Sequence, residues 1–132
     1  MQRALEPDGW PSPNGYSNGV AARGAMVFLA GQIGWNPATA VFDTDDFVLQ
    51  VRQALANVVT LLAEAGADPR HLVRLTWFIT DRDAYLSARS EIGVAYREVM
   101  GRNYPPMSVV VVSALIEARA LVEIEATAIL PS

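Results

Sequence analysis

Between Asp46 and Ala65 the apolar side chains recur at steps of three and four: Phe47, Val51, Ala54, Leu55, Val58, Leu61, Leu62 and Ala65. That spacing predicts an amphipathic helix with one buried stripe. Thr44 is placed to cap its start and Gly66 to stop its end. A second helix is predicted from about Ala84 to Met100, with Tyr85, Ile92, Ala95, Tyr96 and Val99 on one side and Gly101 as its stop. Around the helices the period shortens. Leu72 to Thr80 has the valine, leucine, tryptophan, phenylalanine and isoleucine density of a buried strand, bounded by Asp68-Pro69 and Asp81-Arg82-Asp83. Gly19 to Ala22 and Ala25 to Gln32 are apolar runs separated by Arg23-Gly24, which predicts a hairpin with a two-residue turn. Met107 to Ala114 and Leu121 to Ile129 read as closing strands.

The predicted order is ββαβαββ. This is an α+β fold in a single domain spanning 1–132, with a mixed sheet and two helices on one face. The opposite face is left open. Val109 to Val112 offers apolar groups to both sides of its strand, so water is a poor neighbour there and another subunit is the expected cover. The pattern does not set the number of subunits.

Composition narrows the function classes. A chain of 132 residues buries roughly two thirds of the surface its unfolded form exposes. Its net charge of -4 lacks the basic footprint that nucleic-acid binding needs. No apolar run approaches the roughly 20 residues of a membrane helix, and the first residues lack a signal-peptide core, so a cytoplasmic protein with no membrane partner is expected. Cysteine is absent and His71 is the single histidine, which leaves no expected metal site. Hydrophobic residues make up 52% of the chain, in keeping with buried contacts between subunits.

Three segments carry candidate chemistry. Along Val122 to Thr127 the side chains alternate, so Glu123, Glu125 and Thr127 share one face. Such a face is either a solvated strand surface or a place where a carboxylate handles water, and the pattern leaves both open. Tyr16, after Asn14-Gly15, is either a packed loop aromatic or a phenol that reaches a ligand. Gly31 is either a strand bulge or a point of close backbone approach to a ligand. Arg89, Arg97 and Arg102 are expected to be surface charge. No serine has a nucleophile-elbow setting, and no glycine loop for phosphate or dinucleotide is present.

Several segments resemble the RidA/YjgF family of reactive enamine and imine deaminases and their relatives. They are Asn14 to Val20, Phe28 to Pro37, Gln53 to Val58, and Val122-Glu123-Ile124-Glu125-Ala126, spread over nearly the whole chain in the family's order. The resemblance implies a chorismate-mutase-like fold and a homotrimer with small-molecule sites in clefts between subunits. It implies that the cleft is lined by Tyr16, Ala30, Gly31, Met107, Val109 and Glu123, with Glu123 handling water and Tyr16 orienting the ligand. No cofactor and no metal are implied. Deaminating members place an arginine where this chain has Met107, and a serine is common where it has Ala30. Methionine cannot make the two-pronged contact of a guanidinium with a carboxylate. The resemblance therefore implies a deaminase-like hydrolase acting on an imine or enamine that is neutral or carries its carboxylate elsewhere. A metabolite-binding or regulatory trimer without turnover is the alternative.

Overall fold

A computed structural model describes residues 2–131 of the chain. Strands β1 (Gln2–Ala4) and β2 (Val20–Ala22) pair antiparallel in a small ribbon. Strands β3 (Ala25–Ile33), β4 (Leu72–Ile79), β5 (Met107–Val111) and β6 (Val122–Leu130) form the main sheet, in the order β3-β6-β4-β5. β6 runs antiparallel to both its neighbours, and β4 and β5 are parallel. Helix α1 (Phe47–Glu64) links β3 to β4, while α2 (Arg82–Ser87) and α3 (Arg89–Met100) link β4 to β5. The α+β mixed sheet expected from the pattern is present.

α1 is built as its spacing predicts. Val51, Ala54, Leu55, Val58 and Leu62 are wholly buried, and α1 packs on β3, β6 and α3. Leu75, Trp77 and Ile79 of β4 and Val122, Ile124 and Ala126 of β6 meet that layer from the sheet. Gly66 takes a φ of +75° just past the end, and the Gly66 and Ala67 amides donate back to the Ala63 and Leu62 carbonyls. The start differs by two residues from the expected cap. Asp46, not Thr44, caps the helix by accepting from the Leu49 amide at 2.9 Å, while Thr44 Oγ1 accepts from the Asp46 amide.

Two buried amides lock the loops around α1. Gln50 Nε2 donates to the Thr44 and Arg119 carbonyls at 3.0 and 3.1 Å, and its Oε1 accepts from the Leu121 amide at 2.9 Å. Asn57 Nδ2 donates to the Ile33 and Trp35 carbonyls and its Oδ1 accepts from Gln53. Gly34 is required beside Gln50, because a Cβ there would stand 2.7 Å from the Gln50 Cα.

Three expectations are corrected. β2 and β3 do not form a hairpin across Arg23-Gly24: β2 pairs with β1, and β3 pairs with β6 from Ala25↔Leu130 onward. Gly24, at a φ of 145°, lets the chain turn against the Leu130 carbonyl and leave the sheet. The predicted second helix is two, broken at Ala88, whose φ of -109° and ψ of 17° fall outside the helical range. β5 ends at Val111 rather than Ala114.

The face of the sheet away from the helices is uncovered. Met26 is 66% exposed, Phe28 71% and Val110 41%, with Phe78 half-buried opposite Glu123. No described residue lies over them.

Candidate functional site

Register decides where each candidate goes. Met107 and Val109 lie opposite Leu75 and Trp77 in the parallel pair, so they share the helix-side face of the sheet. Glu123 lies opposite Phe78 and Ile33, on the uncovered face. The expected site residues therefore form two groups on opposite faces of one sheet.

The first group is Gly31, Ala30 and Glu123. β3 slips register against β6 between Leu29 and Gln32, a bulge that carries Ala30 and Gly31. Gln32 Nε2 donates to the Ala30 carbonyl at 3.0 Å across it. The half-buried Glu123 side chain lies directly over Gly31: a Cβ at that glycine would stand 2.7 Å from the glutamate's Cγ and Cδ. Any other residue there displaces the whole side chain. Among the described residues the carboxylate has neither a hydrogen-bond nor an ion-pair partner. Ala30 is exposed beside it. Glu125 sits two residues on, exposed, in a separate shallow recess with Phe28, Arg74 and Thr127. The alternation placed the two glutamates on one face, and the bulge makes them unequal.

The second group is Tyr16, Met107 and Val109. They line a hollow of about 1030 Å³ between α3 and the β5 edge. The Ser17 amide donates to the Pro105 carbonyl at 3.3 Å and Ser17 bridges Pro106, which holds the loop so that Tyr16, 42% exposed, stands beside Met107. The Pro106 carbonyl in turn accepts from the Leu75 amide at the start of the β4–β5 pairing. The deep wall is aromatic. Trp77 meets Tyr85 edge-on at 6.5 Å and stacks on Tyr96 at 6.4 Å, and Tyr96 stacks on Tyr104 at 5.3 Å. The Tyr96 hydroxyl donates to the Asn103 carbonyl. Burial, with Tyr104 adding a smaller share, raises its pKa above the usual phenol value.

Arg89, Arg97 and Arg102 line the same hollow, although they are exposed, as surface charges are. The sequence carried a signal for two of them: Arg89, Gly93 and Arg97 fall four apart, on one line of α3. The lone histidine is committed elsewhere. His71 Nδ1 accepts from the Asp68 amide at 3.0 Å and closes a capping box. Among the described residues no three histidine or acidic side chains cluster as a metal site would require, and no helix is long and apolar enough to cross a membrane.

Comparison with known proteins places this geometry. The family model for endoribonuclease L-PSP matches residues 9–130. The chain is 33% identical to protein DfrA of Myxococcus xanthus over 97% of its length and 95% of the relative's. It is 31% identical to the RutC family protein PH0854 of Pyrococcus horikoshii, covering 97% and 98% of the two chains. Among solved structures, the Rid-family protein YyfB of Yersinia pestis superposes with a TM-score of 0.83 at 34% identity, covering 98% of both chains. TdcF of Escherichia coli, solved with bound serine, gives 0.69 at 31% identity, over 97% of this chain and 98% of its own. With the family model matched over nearly the whole chain and full-length relatives at 31% and 34% identity, the chain belongs to the RidA/YjgF family.

Proposed function

We propose that the protein is a deaminase-like hydrolase of a small reactive imine or enamine, working in clefts between the subunits of a homotrimer. One observation carries this reading: Glu123 is held over bare Gly31 on the uncovered sheet face, while Tyr16, Met107 and Val109 line a hollow on the other side. One chain cannot bring the two groups together. The exposed Met26, Phe28 and Val110 give the uncovered face a reason to be buried against a second copy. The edge of β5, with its hollow, is then the natural counterpart.

The chemistry follows from the groups present. An enamine tautomerises to its imine, and Glu123 orients water and accepts its proton as oxygen attacks the C=N carbon. The resulting carbinolamine loses ammonia and leaves a ketone. Tyr16 donates a hydrogen bond to the ligand. Gly31 contributes backbone directly beneath the Glu123 carboxylate, with exposed Ala30 beside it. Among the described residues no carboxylate lines the hollow against the ligand.

Ammonia release from imines generated from several amino acids tests the activity directly. Glu123→Gln is expected to lower turnover by at least about a hundredfold with folding unchanged. Release no faster than in buffer, across the panel, sinks the proposal. Met107→Arg is expected to raise hydrolysis of small 2-imino acids, because it supplies the two-pronged contact that methionine lacks.

A binding or regulatory trimer without turnover is the second reading, favoured by Met107, which makes that wall apolar and adaptable. The serine bound to the E. coli relative accords with small-metabolite binding. A ribonuclease, as the family model's description has it, fits poorly with a net charge of -4 and a single histidine used as a cap.

A further inference from the structure

The α3 side of the hollow has a charge pattern that the proposed reaction leaves unused. Arg89, Gly93 and Arg97 follow one another along the helix at intervals of four, a line about 12 Å long. Gly93 is a helix-interior glycine, and its missing side chain is what makes room in the line. Arg97 fills that room: its Nη1 lies 3.4 Å from where a Gly93 Cβ would stand, so the guanidinium is folded back across the bare helix. Arg102 reaches the same hollow from the loop after α3. No aspartate or glutamate lines the hollow among the described residues. The ion pairs formed by described arginines use Arg52, Arg70 and Arg119 instead. Three guanidinium groups therefore face one cavity without a counter-charge.

The deep wall of the same hollow is buried aromatic surface. Trp77 lines the hollow at 3% exposure, and its indole Nε1–H finds no acceptor among the described residues. The remaining walls are flat or soft: Tyr16, Tyr85, Tyr104 and Met107. At about 1030 Å³ the hollow is far roomier than a three-carbon or four-carbon imine needs.

We propose that this hollow binds a flat, conjugated carboxylate, whose anionic end is held by Arg97 across Gly93 with Arg89 and Arg102 beside it. The inference rests on the reading of the hollow as one half of the site, and it gives that site a substrate class. The anion is anchored from the helix, on the α3 wall across from Met107. A guanidinium fork suits a planar carboxylate, and aromatic walls suit a conjugated body.

Calorimetric titration of the full chain with (E)-3-phenylpropenoate (cinnamate), a flat conjugated carboxylate, and its neutral amide tests it. The acid is expected to bind about tenfold more tightly than the amide. Arg97→Met is expected to bring the two within about twofold, and Arg97→Lys to keep part of the preference. Gly93→Leu leaves Arg97 in the chain, occupies the ground beneath it and favours helix, so it is expected to lose the preference while folding normally. Equal affinity of wild type for acid and amide overturns the proposal. So does no measurable binding of the acid, or a preference unchanged in both Arg97→Met and Gly93→Leu. The failures of the two readings separate cleanly. A preference for the acid without ammonia release from any imine removes the hydrolase and leaves this site, and ammonia release by a protein indifferent to ligand charge does the reverse.

Discussion

Gly31 and Gly93 are both bare backbone roofed by a charged side chain, one under a carboxylate and one under a guanidinium. They differ in tolerance. At Gly31 a Cβ would come within 2.7 Å of the middle of the Glu123 side chain, whereas at Gly93 it would sit 3.4 Å from the tip of Arg97, an ordinary contact. The strand glycine lies in a bulge, where neighbouring strands fix the position of everything above it. The helix glycine lies on an exposed wall, where a long flexible side chain drapes over it. A strand bulge sets a carboxylate rigidly, and a helix surface offers a cation adjustably.

The sharpest way to break this contrast is an alanine at each glycine. Gly31→Ala is expected to lower turnover of ammonia release about a hundredfold by displacing Glu123. In a Glu123→Gln background the same substitution should add almost nothing, and a double-mutant cycle reads that directly. Next in size is Asn57→Ala. It leaves the Ile33 and Trp35 carbonyls short of a donor at the end of β3, and is expected to cost about 2 kcal/mol in urea unfolding.

On the other side of the sheet, Tyr96→Phe removes the bond to Asn103 and is expected to cost about 1 kcal/mol at neutral pH. Its pH dependence has a definite sign. Burial raises the folded phenol's pKa above the unfolded value of about 10, so its share of stability is whole below that pH and drains away as pH rises beyond it. Denaturation midpoints at alkaline pH should therefore fall less steeply in the phenylalanine variant. The smallest effect is expected at Gly93→Ala, a gain of about 0.5–1 kcal/mol from helix propensity, measurable as a raised melting temperature.

Much of this molecule is written in local spacing. α1, its Gly66 stop and the buried face of β6 follow from period and end signals alone, because a helix's apolar stripe and a strand's alternation are set within the element itself. The hairpin at Arg23-Gly24 failed because the spacing describes a turn but says nothing of the competing partner, β6, about a hundred residues away. The break at Ala88 has no glycine or proline to announce it. Glu123 was marked out by alternation and by family resemblance. A bulge at Gly31 was one of its two readings from the sequence, but its tie to Glu123 needed the register between β3 and β6. Arg97 read as surface charge because its setting comes from elsewhere: Trp77 from β4, Tyr16 from the first loop and Met107 from β5.

The register that puts Glu123 on one face and Met107 on the other also has a consequence for inheritance. A chain damaged at Glu123 keeps a sound hollow, and a chain damaged at Tyr16 keeps a sound carboxylate. If sites are shared between chains, mixing two such inactive proteins rebuilds working sites wherever an intact face meets an intact hollow. Two defective alleles would then complement one another.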